Sequence, residues 1–203
     1  MHVLKKVSFS FIKFTKTTAI GIALFCASTA VASDIPTKKQ TDAGLYLTAA
    51  EAAAMLSTND VALIDVRSRA EVAFLGMPSD ASVNLPYMMM PMIPEYDDEK
   101  GAYSLEINPD FPTAFKAWAS ANGFDKDSTY ILMCRSGSRS AKAANLIYEL
   151  GYTNVYSVVD GYEGDKAKEG PNKGQRVVNG WRNAGLDWSY KISSSQVYPD
   201  DAN

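Results

Sequence analysis

The chain has 203 residues, of which 46% are hydrophobic and 21% are charged. That length suits one domain or two small ones, and the apolar fraction excludes disorder along the whole chain. Two cysteines exclude a disulfide-dense scaffold and a four-cysteine zinc site. The formal charge of −3 argues against a nucleic-acid binder.

The first 32 residues have the pattern of a secretory signal peptide. Four lysines and no acidic residue accompany the apolar run 19–27, and Ala30-Val31-Ala32 places small residues where a signal peptidase cuts. The apolar run is too short to predict a membrane span. We therefore expect an exported, periplasmic protein with no stable membrane insertion once residues 1–32 are removed.

Removal of residues 1–32 changes which chemistry is available. The segment holds four of the twenty basic residues and none of the twenty-three acidic ones, so the mature charge is −7. It also holds the single histidine, His2, and Cys26, which leaves Cys134 as the lone cysteine. Histidine-dependent catalysis and the common histidine metal sites are then excluded, and we expect no metal and no cofactor. A lone thiol in an oxidising compartment needs a reason, and a buried inert cysteine is the simplest one.

From residue 33 onward, predicted strands and helices alternate. Residues 33–43 predict a polar linker, and residues 191–203 predict a polar tail. Capping-box patterns begin at Thr48 and Ser68, and Asp110 is a further predicted helix cap. Strands are predicted at 45–47, 61–65, 82–85, 129–133 and 155–159, and helices at 49–57, from Ser68, at 111–121 and at 139–150. This alternation favours a parallel sheet covered on both faces by helices.

The segment 87–108 interrupts the alternation and shows no clear periodicity. It is long for a loop in a compact domain, and such loops are often functional. Four methionines between residues 88 and 92 could bind Cu(I), but flexible apolar cover over a pocket is the favoured interpretation. The acidic run 95–99 is interpreted as a solvated loop in preference to a calcium site.

The chemistry is predicted in the loop 134–140, which reads Cys-Arg-Ser-Gly-Ser-Arg-Ser. The loop follows a predicted buried strand and runs directly into a helix, which points backbone N–H groups into it. A cysteine at the mouth of such a loop is expected to be largely thiolate, and the same N–H groups can hold an oxyanion. The candidate residues are the nucleophile Cys134 and the substrate-binding residues Arg135, Ser136, Gly137, Ser138, Arg139 and Ser140.

Two arginines of the loop could face the anion, because arginine binds oxyanions through paired hydrogen bonds. We favour a substrate-facing role for Arg135 or Arg139, with bracing of the loop as the alternative for Arg139. Asp65 and Arg67 are supporting candidates, because open α/β sheets bind ligands at the carboxyl ends of their strands. An ion pair that fixes the next helix is the favoured interpretation of these two residues.

At these residues the chain resembles the rhodanese family of sulfurtransferases, over roughly residues 44–190. The resemblance includes residues 64–67, the loop 134–140 with its helix, and residues 154–164. It implies a rhodanese-like α/β domain with a central parallel sheet of about five strands. It also implies that Cys134 takes sulfane sulfur from an anionic, thiosulfate-like donor as a persulfide. A thiol, including a protein thiol, or cyanide would then accept that sulfur.

Loop length separates this chain from related phosphatases and arsenate reductases, which use a Cys-x5-Arg loop. Arg139 lies five positions after Cys134, Ser140 follows it, and Met133 stands where phosphatases typically have histidine. We therefore expect sulfur transfer. The alternatives are a non-catalytic module that binds an anion or a partner protein, with Cys134 as a redox-sensitive thiol, and then a cysteine phosphatase or arsenate reductase.

The chain also departs from the family pattern in three places. Residues 75–81 lack the histidine that is usual after the second strand, which affects the local turn more than the chemistry. Segment 87–108 is enlarged and could cover the loop as a lid. The stretch after Gly164 is long for a minimal domain. Either enlargement could restrict the substrate.

Overall fold

The computed structural model describes residues 35–57 and 60–198. The predicted signal peptide and the last five residues of the predicted tail lie outside these ranges. Within them, none of the helices combines the length and the apolar character that crossing a membrane requires.

Strands and helices alternate along the described chain, as predicted. The strands are β1 (Tyr46–Leu47), β2 (Val61–Asp65), β3 (Met77–Pro78), β4 (Val83–Asn84), β5 (Met88–Met89), β6 (Tyr96–Asp97), β7 (Ala102–Tyr103), β8 (Glu106–Ile107), β9 (Thr129–Met133), β10 (Val155–Val158) and β11 (Trp188–Ser189). The helices are α1 (Ala49–Leu56), α2 (Arg69–Leu75), α3 (Phe111–Ala121) and α4 (Ser138–Glu149).

The central sheet has five parallel strands in the order β1-β10-β9-β2-β4. Strand β9, which leads into the candidate loop, is the middle strand, and β2 lies beside it with Asp65 opposite Met133. The carboxyl ends of β2 and β9 therefore meet at one edge of the sheet. The predicted α/β fold with a five-stranded parallel sheet is confirmed.

Helices cover both faces of this sheet because successive strand residues point to opposite sides. Tyr130 and Leu132 of β9 belong to the core cluster that contains buried residues of α3 and α4. Ile131 and Met133 belong to the cluster that contains buried residues of α1 and α2. The uniformly apolar strands predicted this two-sided burial.

Both predicted capping boxes are present. The hydroxyl of Thr48 accepts a hydrogen bond from the N–H of Glu51, whose carboxylate accepts one from the N–H of Thr48. Ser68 and Glu71 repeat this arrangement at α2. Asp110 occupies the predicted cap of α3, but its helical backbone (φ −85°, ψ −9°) leaves the carboxylate without a capping bond.

Within the predicted segment 87–108, residues 88–107 form two small antiparallel strand pairs, β5 with β8 and β6 with β7. We refer to these residues as segment 88–107. Met88 is half-buried and packs against the core, whereas Met90 is 43% and Met92 is 99% exposed. Pocket cover is therefore the wrong interpretation for Met90 and Met92, because an isolated strand pair has no second layer on which to bury them.

Residues 37–39, within the predicted linker, form a short 3-10 helix. Lys39 is buried there, and its Nζ lies 2.9 Å from the Oδ1 atom of Asp165. This ion pair attaches the start of the described chain to the stretch that follows Gly164.

Candidate functional site

Residues 134–137 connect β9 directly to α4, as predicted, and the last three residues of the loop 134–140 form the first turn of that helix. Gly137 precedes the first helical residue with a φ of +95°. A Cβ atom there would lie 2.2 Å from the carbonyl oxygen of Val159, so the position requires glycine for space as well as for conformation. The N–H of Gly137 donates to the sulfur of Cys134 at 3.1 Å.

The sulfur of Cys134 thus lies at the amino end of the twelve-residue helix α4. The first N–H groups of a helix have no acceptor within the helix, and the helix dipole is positive at that end. Both effects stabilise negative charge, whether on the sulfur or on a bound anion. The amino end of α4 therefore offers a site for negative charge next to the sulfur of Cys134.

A second turn, residues 160–164, supports the loop through backbone contacts. The N–H of Tyr162 donates to the carbonyl of Cys134 at 2.8 Å, and the N–H of Glu163 donates to that of Arg135 at 3.0 Å. Gly161 has a φ of +64°, and a Cβ atom there would lie 2.5 Å from the carbonyl oxygen of Cys134. This close approach assigns a role to a turn that the sequence identified only through the family resemblance.

Arg139 is held by a carboxylate in this structure. Its Nη1 and Nη2 atoms lie 2.7 and 2.5 Å from the two carboxylate oxygens of Glu71 on α2. Burial would raise the pKa of Glu71, but the hydrogen bonds and charge of Arg139, with those from Ser68, lower it to about 2. Of the two roles considered for Arg139, the geometry matches bracing: the residue ties the start of α4 to α2.

Arg135, in contrast, is exposed and so remains accessible to an incoming anion. Ser136 and Ser138 are half-buried. Ser140 is fully buried: its hydroxyl donates to the carbonyl of Gly137 at 3.0 Å and accepts from Ser157 at 2.9 Å. The predicted binding residues therefore lie in one loop, but Ser140 belongs to the framework beneath it.

Asp65 and Arg67 form the ion pair that the sequence analysis favoured. Both side chains are fully buried, with Nε of Arg67 at 2.9 Å and its Nη2 at 2.5 Å from the two carboxylate oxygens. The guanidinium carbon lies 3.8 Å from the centre of the Tyr162 ring, and Nη2 also donates to the carbonyl of Gly76. The pair thus supports the turn 160–164 through the contact of Arg67 with Tyr162.

The thiol of Cys134 is less accessible than the sequence suggested, with only 1% of the residue exposed. Cys134 belongs to the core cluster that also contains buried residues of α3 and α4, so its thiol lies beneath the loop and not at the surface of the loop.

Glu71 was not among the predicted residues of this site. Its capping-box position was visible, but its contact with Arg139 joins residues 68 positions apart.

Within the described ranges, no three His, Cys, Asp or Glu side chains lie together as metal ligands.

The C-terminal segment, residues 165–190, packs against the same region. Trp181 is buried, and its backbone N–H donates to the carbonyl of Gly161 at 2.9 Å. Trp188 begins β11, which pairs with β3. Both tryptophans therefore attach the segment to the domain.

Comparisons with known proteins give a consistent set of relatives. A family model described as Rhodanese-like domain matches residues 48–168. An uncharacterized protein of Rickettsia conorii is 32% identical over 138 residues, which are 67% of this chain and 89% of that protein. Thiosulfate sulfurtransferase 16, chloroplastic, of Arabidopsis thaliana is 30% identical over 99 residues, 49% of this chain and 68% of that one. The crystal structure of Rv0390 from M. tuberculosis matches with a TM-score of 0.52 and 29% identity, over 72% of this chain and 97% of that chain.

Proposed function

Because the chain belongs to the rhodanese-like domain family, we propose that it is a sulfurtransferase in which Cys134 carries sulfur as a persulfide. The observation that carries this proposal is the hydrogen bond from the N–H of Gly137 to the sulfur of Cys134, at the amino end of α4. A hydrogen bond to a charged sulfur is stronger than one to a neutral sulfur, so this N–H group stabilises the negative charge that the sulfur carries during transfer.

The reaction has two balanced steps. In the first, the thiolate of Cys134 attacks the outer sulfur of a thiosulfate-like donor, and the donor's S–S bond breaks with its electron pair leaving on sulfite. In the second, cyanide or a thiolate attacks the outer sulfur of the persulfide, and the electron pair returns to the sulfur of Cys134. No external oxidant or reductant is consumed.

The residues of the loop divide the work between them. Arg135, which is exposed, attracts the charge of the donor, and the N–H groups at the start of α4 stabilise the charged persulfide. Arg139 positions these N–H groups through its contact with Glu71. The burial of Cys134 fits a reaction in which the reagent presents one terminal atom.

Intact mass spectrometry of the protein after thiosulfate treatment and desalting tests this proposal. We expect a gain of one sulfur atom, its absence in Cys134→Ser, and its discharge by cyanide as thiocyanate. If the reduced protein gains no sulfur from thiosulfate or from other sulfane-sulfur donors, the proposal is wrong.

The burial of Cys134 also favours one alternative, a non-catalytic module whose thiol is not reached by sulfur donors. A partner or an anion would then bind at the loop without chemistry. Binding of sulfate by the Cys134→Ser variant, together with no sulfur uptake by the unaltered protein, would support this alternative.

We further propose that the protein is exported and acts in the periplasm, on the basis of the pattern in residues 1–32. The expected result is a periplasmic protein whose mature mass corresponds to cleavage after Ala32. Recovery of the full-length chain from the cytoplasm of a Gram-negative host would contradict export.

A further inference from the structure

A pocket of about 430 Å³ borders the turn 160–164, which contacts the candidate loop. Its lining residues are Glu163, Arg176, Arg182, Asn183 and Trp188. All of these except Glu163 lie beyond residue 168, where the family match ends. The pocket is therefore built mostly by the C-terminal segment, outside the part of the chain that the family match covers.

The pocket adjoins the loop through Glu163, whose N–H donates to the carbonyl of Arg135. Nη1 of Arg176 donates to the carbonyl of Gly164 at 2.5 Å, and the amide of Asn183 donates to the carbonyls of Glu163 and Arg176. Burial and the charge of Arg135 lower the pKa of Arg176, and the nearby carboxylates of Glu163 and Asp165 oppose them. Arg176 is thus attached to the turn 160–164, which contacts the loop that contains Cys134.

The charged groups of the pocket are incompletely paired. Nε of Arg176 is 4.0 Å from the Oε2 atom of Glu163, which is long for an ion pair. Among the described residues, the buried Oε1 atom of Glu163 has no hydrogen-bond partner. A buried carboxylate oxygen without a partner is unfavourable, so a cationic N–H donor that reached it would be bound.

The second arginine of the pocket is supported by an aromatic ring. The guanidinium carbon of Arg182 lies 4.3 Å from the centre of the Trp188 ring. Such stacking holds a guanidinium in place while its N–H groups remain available to an anion. Two guanidiniums and one carboxylate fit a ligand with both carboxylate and ammonium groups.

The size of the pocket points to an organic ligand. Cavities of a few hundred Å³ are typical of sites for small organic molecules, whereas an inorganic donor such as thiosulfate would fill only a fraction of this one. Since an inorganic donor is too small to fill the pocket, we assign the pocket to an organic acceptor.

We propose that this pocket binds an α-amino-acid thiol as the sulfur acceptor, with its carboxylate at Arg176 and Arg182 and its ammonium at Glu163. The inference rests on the proposed function and names the acceptor class for the same persulfide. The acceptor's thiol loses its proton to solvent, and its sulfur attacks the outer sulfur of the persulfide. One S–S bond forms as the other breaks, and the electron pair returns to Cys134.

The test separates discharge of the persulfide from its formation. Protein loaded with thiosulfate and desalted is mixed with cysteine, with cysteamine, which lacks the carboxylate, with mercaptopropionate, which lacks the ammonium, or with cyanide. At subsaturating thiol, Arg176→Gln should slow discharge to cysteine about tenfold or more and discharge to cysteamine or cyanide less than about twofold. Glu163→Gln should slow discharge to cysteine but not to mercaptopropionate.

Two further variants control for structural effects. Arg182→Gln repeats the test at a side chain that stacks on Trp188, because Arg176 also holds the carbonyl of Gly164. Lys168→Gln removes one exposed positive charge from the same segment and should leave all four rates unchanged.

The outcomes distinguish the inference from the proposed function. If the unaltered protein takes up no sulfur, the proposed function fails and the inference falls with it. If uptake is normal but each pocket variant slows all four acceptors equally, or none of them, the pocket does not select the acceptor and only the inference is overturned.

Discussion

The candidate loop and segment 88–107 are both irregular excursions, yet they are held in different ways. The loop is fixed on several sides: backbone groups of residues 161–163 contact it, and Glu71 holds Arg139. Segment 88–107 is attached mainly at its base, where the buried Asn108 donates to the carbonyl of Pro86 at 2.9 Å. Its large apolar side chains reach solvent, with Met92 99% exposed.

The difference shows where this fold requires precision. A thiolate and the N–H groups that stabilise its charge must be held within a fraction of an ångström, and contacts between backbone atoms can do this. Two-residue strand pairs impose no such constraint. We therefore expect substitutions to matter in proportion to how closely other backbone packs on the altered residue.

Gly161→Ala is expected to have the largest combined effect on stability and on sulfur uptake. The new Cβ would overlap backbone atoms of Cys134 and Ser136, so we expect a loss of about 3 kcal/mol or more in unfolding free energy. Sulfur uptake should slow by about 100-fold, because the loop would be displaced. Urea unfolding and the rate of sulfur uptake measure the two effects.

Gly44→Ala is the matched control for this variant. Gly44 has the same φ of +64°, but nothing lies within 4 Å of its Cβ position. The variant should lose only about 1 kcal/mol of unfolding free energy, from conformational strain, and its rate of sulfur uptake should be unchanged. Equal losses in the two variants would show that the backbone contact at Gly161 is unimportant.

Glu71→Gln is expected to have the next largest effect, a loss of about 2 kcal/mol in unfolding free energy, because it leaves Arg139 without its carboxylate partner. The pKa of Glu71 is lowered by folding, to about 2. Its contribution is therefore complete above the ordinary glutamate pKa and is lost as the pH falls towards 2. The difference in unfolding free energy between the unaltered protein and the variant should shrink over that range.

Glu51→Gln controls for the capping box alone, since Glu51 occupies the same position in α1 and is exposed. We expect it to lose less than about 1 kcal/mol. A pH-independent difference between Glu71→Gln and the unaltered protein would contradict the assigned role of the carboxylate.

Asn108→Ala should have an intermediate effect, a loss of about 1.5 kcal/mol in unfolding free energy, because the buried carbonyl of Pro86 loses its hydrogen-bond donor. Asn154→Ala removes an exposed hydrogen bond of the same kind, to Asp127, and should lose less than about 0.5 kcal/mol. Sulfur uptake should be unchanged in both. A fall in uptake for Asn108→Ala would mean that segment 88–107 takes part in the site.

Met92→Ala is expected to have the smallest effect, within about 0.5 kcal/mol, since the side chain is in solvent. Met77→Ala, at a core position that is 1% exposed, should lose about 2 to 5 kcal/mol. Chemical denaturation compares the two. A large loss for Met92→Ala would indicate that segment 88–107 is packed in solution.

The sequence predicted the elements that depend on neighbouring residues. Strands β2 and β9 were predicted at their observed bounds, because each is an apolar run of strand length between polar or charged residues. The loop 134–140 was identified because its cysteine, glycine and arginines lie between a strand and a helix. Asp65 and Arg67 are two positions apart, so their pairing was also accessible to sequence reasoning.

The remaining parts of the site depend on distant residues. Lys39 and Asp165 are 126 positions apart, and their contact requires the C-terminal segment to return to the start of the domain. The pocket residues Arg176 and Arg182 lie in a stretch without regular periodicity, which gave no indication that they face Glu163.

The sequence by itself thus determined the class of fold and located the cysteine and the loop to which we assign the chemistry, since these follow from local patterns of polarity and backbone conformation. Only the tertiary structure decided which charges meet: Arg139 with Glu71, and Arg176 with Glu163. The physical reason is that strand order and chain return set distances between residues far apart in sequence, and charged groups interact according to distance in space.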